Sequence, residues 1–188
     1  MSATLEREIK LSFASVEAAR AAVLAIGATP LHGRRLQEDC LLDTTNDDLR
    51  RRRSALRVRQ DGGRCLLTFK GPVQPASVKV REEIETPVGD GTQLMKILGE
   101  LGFHVWFRYE KYREEFALDD CILAIDETPV GVFVEIEGGD CSIDVVAVLL
   151  GRGPGDYLLD SYRSLFVRHC ERLGIEPTDM LFDLSEAD

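Results

Sequence analysis

The feature that most constrains this chain is a pattern of charge. In several short segments, like charges recur two residues apart with apolar residues between them. Glu6, Glu8 and Lys10 alternate with Leu5, Arg7, Ile9 and Leu11, and Arg57 and Arg59 with Leu56 and Val58. Lys79, Arg81, Glu83 and Glu85 alternate with Val78, Val80 and Ile84; Lys111 and Arg113 repeat the spacing, as do Glu135 and Glu137 around Ile136. A period of two belongs to β-strands, whose successive side chains point to opposite faces. The polar face of a half-buried strand normally meets water and is varied. Here it is uniform and segregated by sign: acidic pairs lie near the N-terminus and near residue 136, and basic pairs between them.

Like charges on one strand face repel unless opposite charge lies between them. If these faces converge, the carboxylates form a hard-oxygen site for Mg²⁺ or Mn²⁺. The basic groups then form a cage for a compact polyanion, with Arg suited to bidentate phosphate contact. A metal-chelated triphosphate, with about four negative charges, would supply both missing partners. Taken pair by pair, the alternative is a solvent-facing salt-bridge ladder worth roughly a few tenths of a kcal/mol each. Five strands that each carry such pairs, sorted by sign, favour the site. A sheet with its charged face inward has no apolar centre to pack, so the expected architecture is an α+β barrel around a hydrated channel, with helices on its apolar exterior.

The alternation predicts eight strands, at about 5–13, 37–43, 55–60, 64–70, 77–86, 107–117, 120–126 and 131–138. Helices are expected from Ser15 to Ala28, after Thr92, over Ile143 to Leu150 and from Asp160 to Leu173. In the second, Leu94, Ile97, Leu98 and Leu101 offer a covering stripe that stops at Gly102. Gly151 to Gly155 lacks the Lys-Ser/Thr of a phosphate loop and reads as a connector. Arg50 to Arg53 reads as a solvated turn beside Asp47 and Asp48, with a polyanion docking patch as the alternative.

With 188 residues, 44% of them hydrophobic, and no internal repeat, a single domain over 1–188 is expected. The formal net charge of -10 argues against nucleic acid or an anionic membrane as partner. A homodimer is an allowed assembly. The five cysteines, Cys40, Cys65, Cys121, Cys141 and Cys170, form no Cys-x-x-Cys pair and suggest buried small residues in a reducing cytoplasm. His32, His104 and His169 lack ligand spacing and are read as structural or surface groups. No segment approaches the roughly 18 apolar residues of a membrane span.

The opening Leu5-Glu6-Arg7-Glu8-Ile9-Lys10-Leu11 resembles the Glu-x-Glu-x-Lys signature of the CYTH superfamily, the triphosphate tunnel metalloenzymes. Further blocks follow in family order: Gln37-Glu38-Asp39, Leu56-Arg57-Val58-Arg59, Leu67-Thr68-Phe69-Lys70-Gly71 and Arg81-Glu82-Glu83-Ile84-Glu85. Glu110-Lys111-Tyr112-Arg113, Asp126, Gly131 to Glu137 and Ser161-Tyr162 complete the series. The resemblance implies an eight-stranded antiparallel tunnel and an activity among thiamine, inorganic and RNA triphosphatases and class IV adenylyl cyclases. It implies Glu6, Glu8, Glu135 and Glu137 as metal ligands for two ions, with Asp126 a fifth. Lys10, Arg57, Arg59, Lys70, Arg81, Lys111 and Arg113 are implied as triphosphate ligands, with Glu83 and Glu85 in support. Leu41 and Leu42 stand where many members carry an aromatic residue, which puts a stacking role there in doubt.

The expected activity is metal-dependent hydrolysis of a small-molecule triphosphate: inorganic triphosphate, thiamine triphosphate or a nucleoside triphosphate. A class IV cyclase making cyclic AMP and pyrophosphate from ATP would use the same cage. Gly102-Phe103-His104 and Asp160-Ser161-Tyr162-Arg163 are similar to segments of bacterial class IV cyclases. A non-catalytic triphosphate-binding module is the alternative of another class, but pure anion binding needs no set of metal-binding carboxylates. Ser161 and Tyr162 also suit a helix cap.

Overall fold

The computed structural model describes residues 4–182, apart from the side chains of residues 4, 140 and 141, so Cys141 lies outside what is described. Eight strands, β1 Thr4–Phe13, β2 Thr29–Thr44, β3 Ala55–Asp61, β4 Arg64–Lys70, β5 Lys79–Val88, β6 Phe103–Leu118, β7 Cys121–Thr128 and β8 Gly131–Glu137, close into one barrel. Its order is β1-β5-β4-β3-β2-β6-β7-β8, every neighbour antiparallel. Short links suffice between sequential strands. At Gly62-Gly63, with φ of 56° and 87°, a two-residue turn takes the left-handed backbone that glycine adopts without a Cβ clash.

Five helices pack outside or across the end of the barrel: α1 Val16–Ala25, α2 Asp48–Arg51, α3 Gly91–Glu100, α4 Asp140–Leu149 and α5 Tyr162–Leu173. Ser15, Asp90 and Ser161 cap α1, α3 and α5, each side chain accepting a backbone N–H three residues on. Among the described residues no helix is long and apolar enough to cross a membrane.

The alternation divides each strand between two environments. Outward Ile9, Leu11, Leu123, Ile125, Val134 and Ile136 are buried beneath α1 and α4, through Ala19, Val23, Ile143, Val146 and Ala147. Leu42, Val58 and Cys65 pack under Leu98 of α3. Burying each large aliphatic side chain stabilises the fold by roughly 1.5–3 kcal/mol, which offsets the cost of enclosing charge on the inner face.

The eight strands and four expected helices are present, with three differences. β2 starts at Thr29 rather than 37 and β6 at Phe103 rather than 107, because the two pair over a longer stretch interrupted by register shifts at Pro30/His32, His32/Arg35 and Leu41/Leu42. The run at Arg50 to Arg53 is exposed, as a solvated segment should be, but it begins inside a one-turn helix, α2. In α3, Ile97 and Leu101 are 56% and 68% exposed, so the covering stripe is Leu94, Met95 and Leu98. The helix sits on the barrel on a face rotated from the expected one.

A charged tunnel as the candidate active site

The inner faces enclose a cavity of about 450 Å³. Of the residues singled out from the sequence, Glu6, Glu8, Lys10, Arg57, Arg59, Lys70, Arg81, Glu83, Glu85, Lys111, Arg113, Glu135 and Glu137 all line it. Strand register explains the convergence: Glu6 faces Arg81 and Glu8 faces Lys79 across β1 and β5, while Lys10 faces Glu135 and Glu8 faces Glu137 across β1 and β8. Three of these pairs bring opposite signs together, and the fourth, Glu8 opposite Glu137, sets two carboxylates side by side.

Much of the counter-charge that the sequence pattern demands is therefore supplied by the barrel. Lys70 donates to Glu6 at 2.6 Å and also pairs with Glu83 at 2.8 Å, and Arg81 donates to Glu6 at 3.1 Å. Lys10 bridges Glu8 at 3.2 Å and Glu135 at 2.9 Å, and Lys79 donates to the same Glu8 oxygen. Arg57 pairs with Asp39 at 3.5 Å and Glu85 at 3.4 Å, with Thr68 tying Glu85 in place at 2.7 Å. Arg59 forks onto both oxygens of Asp39 at 2.8 and 3.2 Å.

Asp126 is enclosed completely and does not line the cavity. Its carboxylate accepts from Lys111 at 2.7 Å, from Arg113 at 2.7 and 2.5 Å, and from the Tyr162 hydroxyl at 2.5 Å. Arg113 also contacts Glu135. Both Asp126 oxygens are thus engaged by donors, an arrangement that suits orienting cations more than ligating one.

The enclosed charges perturb one another. Burial alone would raise the Glu8 carboxyl, but Lys10, Lys79 and Lys70 outweigh both burial and repulsion by Glu135, so Glu8 stays ionised. Desolvation by the surrounding tunnel wall, followed by repulsion from Glu6, Glu8 and Glu83, pushes Glu137 up to about 7, although the residue itself keeps an exposed surface. Glu83 is raised by burial and by Glu6 against the pull of Lys70. On the basic side, burial and Lys10 lower Lys79 to about 8, while burial and Arg113 lower Lys111 to about 8.

Among the described residues no three His, Cys, Asp or Glu side chains stand together as a ready-made metal cluster. The donor chemistry nonetheless fits a hard divalent cation. Glu6, Glu8 and Glu83 repel Glu137 more than Lys70 attracts it, and that repulsion is what such an ion relieves. The same oxygens of Glu6, Glu8 and Glu135 now accept from lysine and arginine, so a cation would enter by displacing those donors.

Several site residues escaped the sequence reading. Lys79 lay in the alternating run but was not carried into the site, and Tyr109 shares the parity of Lys111, so extending the period backward would have found it. Gln37 and Asp39 on β2 lay in a block of the family resemblance but were given no role, and Asp61 on β3, without a like-charged neighbour two residues away, was not singled out. Gln37 donates to Asp61 at 3.1 Å, and Arg35 donates to Asp61 at 2.6 Å. Exposed His32 pairs with Glu115 at 3.0 Å at the cavity rim.

Both readings of Ser161-Tyr162 apply, to different residues. Ser161 caps α5, whereas Tyr162 enters the tunnel with its ring 5.2 Å from the Lys10 ammonium and 4.8 Å from that of Lys111. Phe103 belongs instead to the outer cluster under α3, and His104 is exposed. Leu41 lines the cavity, and a tyrosine, Tyr109, stands near it on β6.

A family model described as CYTH domain matches residues 4–144. A candidate adenylate cyclase of Methanocaldococcus jannaschii is 33% identical over 105 residues, 55% of this chain and 60% of that protein's length. In fold, the chain is similar to a candidate adenylate cyclase of Vibrio parahaemolyticus, with a TM-score of 0.75 at 19% identity over 87% of this chain and 98% of the other. It is also similar to a Hippeastrum protein, named as an adenylyl cyclase with a dominant triphosphatase activity, with a TM-score of 0.64 at 22% identity over 92% and 97% of the two chains.

Proposed function

The chain belongs to the CYTH domain family, and from that premise we propose that it is a divalent-metal-dependent triphosphatase that encloses its substrate in the barrel. The substrate class is inorganic triphosphate, thiamine triphosphate or a nucleoside triphosphate. The observation that carries the reading is the near-complete pairing of tunnel cations with tunnel carboxylates. Stranding one partner of an enclosed pair costs about 3–5 kcal/mol. A bare anion would take the cations and strand the carboxylates. A metal–triphosphate complex exchanges with both halves at once, which favours it over a module that only binds anions.

In this reading Lys10, Arg57, Arg59, Lys70, Arg81, Lys111 and Arg113, joined by Lys79, hold the non-bridging oxygens and absorb the charge that builds on the leaving phosphate. Glu6, Glu8, Glu135 and Glu137 would hold Mg²⁺ or Mn²⁺, with room in the donor count for two ions. When bound, the metal neutralises phosphate charge and lowers the pKa of a coordinated water. Glu83 and Glu85 release Lys70 and Arg57 to the substrate. Asp126 is a positioning residue that aims Lys111 and Arg113 inward, in place of the fifth metal ligand that the resemblance implies.

Hydrolysis is favoured over cyclisation by the character of the walls. Among the described residues the apolar lining is confined to Leu41, Ala55, Leu66 and the rings of Tyr109 and Tyr162, with no nucleoside-sized apolar recess. The cyclase reading keeps support from the name of the Methanocaldococcus jannaschii relative. An assay with Mg²⁺ or Mn²⁺ against inorganic triphosphate, thiamine triphosphate and ATP, resolving orthophosphate, pyrophosphate and cyclic AMP, separates the readings. Orthophosphate release is expected. Cyclic AMP with pyrophosphate from ATP would replace the proposal by a cyclase, and no product from any substrate would leave a binding module.

A further inference from the structure

Arg163, the second residue of α5, lines the tunnel cavity beside Ser161, Leu41 and Ala55. Its guanidinium lies 4.9 Å from the centre of the Phe107 ring and 5.9 Å from that of Trp106, which Arg50 approaches at 4.5 Å. Its Nε and Nη1 are shielded from solvent and have no hydrogen-bond partner among the described residues. The other lysines and arginines of the cavity wall each have a carboxylate within ion-pair distance, and Arg163 has none among the described residues. The Arg57 Nε also makes no hydrogen bond, but it has the Asp39 carboxylate 3.5 Å away, which Arg163 lacks.

Shielded guanidinium donors without an acceptor are rare because losing water uncompensated is costly. Cation–π contact with the Phe107 ring, and at longer range with Trp106, restrains the fork and lowers the ordering cost of each bond it later forms. The nearby Arg50 adds positive charge, and the Asp179 carboxylate acts on Arg163 only from beyond ion-pair distance. What is missing at this position is a compact oxyanion.

We propose that Arg163 is a further anion-binding residue of the tunnel, donating to the phosphoryl group at the α5 end of the bound triphosphate. The proposal rests on the triphosphate reading and adds a contact from outside the barrel strands. It makes the length of the phosphate chain a property that α5 reads: a shorter anion held by the strand cations leaves Arg163 unengaged.

The test is calorimetric titration of inorganic triphosphate and of pyrophosphate, each with Mg²⁺, into the wild type, Arg163→Gln, Arg163→Lys and Arg57→Ala. Arg163→Gln is expected to weaken triphosphate binding about tenfold to a hundredfold, the weight of a hydrogen bond to a charged group, while pyrophosphate changes little. The preference for the longer chain falls with it. Arg163→Lys, which keeps the charge and loses the fork, should lie between. Equal losses on both anions would reduce Arg163 to a structural support and overturn the proposal. Wild-type binding in Arg163→Gln with weakened binding in Arg57→Ala would overturn it and leave the tunnel reading standing. Unchanged triphosphate binding in both variants would sink the tunnel reading itself.

Discussion

Glu137 and the two perturbed lysines show how single residues set the working range of the tunnel. Glu137 is raised to about 7 by burial and its carboxylate neighbours, so it becomes an anion, fit for a metal, only as pH rises through that value. Lys79 and Lys111, lowered to about 8, lose the charge that attracts phosphate as pH rises further. The expected profile of kcat/KM with Mg²⁺ and inorganic triphosphate is a narrow bell with limbs near pH 7 and 8. Glu137→Gln should flatten the acid limb and lower the plateau. A wild-type rate constant across this range would show that none of the three groups matters. Most of these residues were legible because period-2 alternation reports which side chains share a face. Asp39, 1% exposed and holding Arg57 and Arg59, was not, since its role depends on a cross-strand partner that local sequence does not reveal.

At the scale of elements, α5 and the segment after it close off part of the barrel. Phe166 and Cys170 pack against Phe107, Tyr109 and Met180, and Met180 is enclosed completely. The segment is fastened to β6 by the Met180 N–H to the Arg108 carbonyl and by the Glu110 N–H to the Met180 carbonyl, each at 2.9 Å. Met180→Ala should cost about 2–5 kcal/mol, read from denaturant unfolding, because neither α5 nor the strand can collapse fully into the space. A loss below about 1 kcal/mol would mean that the segment does not hold α5 in place. Sequence gave no sign of this strap, as it is too short for a period. Its lack of signal is shared by α2, whose N–H groups at Leu49 and Arg50 are held by the Asp43 carboxylate at 2.9 and 3.0 Å rather than by an apolar face. The missed first half of β2 has the same origin. Bulges between Pro30 and Arg35 reset the alternation on which strand recognition depends.

Over the whole molecule, the barrel is an apolar shell around paired charges, and its net charge of -10 says little about the tunnel. A closed sheet removes strand edges and brings β1 and β8, distant in sequence, side by side, so that Glu6 and Glu8 come within reach of Glu135 and Glu137. That convergence could be inferred from sequence because the inner faces are too charged to pack as an ordinary core. The pairing inside it could not, because it depends on shear between strands. These pairs are expected to exchange together for a metal and a triphosphate. The most direct test is the affinity for inorganic triphosphate with and without Mg²⁺, in the wild type and in Glu6→Gln/Glu8→Gln. Mg²⁺ is expected to tighten binding at least tenfold in the wild type and much less in the double variant, a difference of about 1.4 kcal/mol or more. Binding that ignores Mg²⁺, or that responds to it equally in both proteins, would contradict this joint exchange.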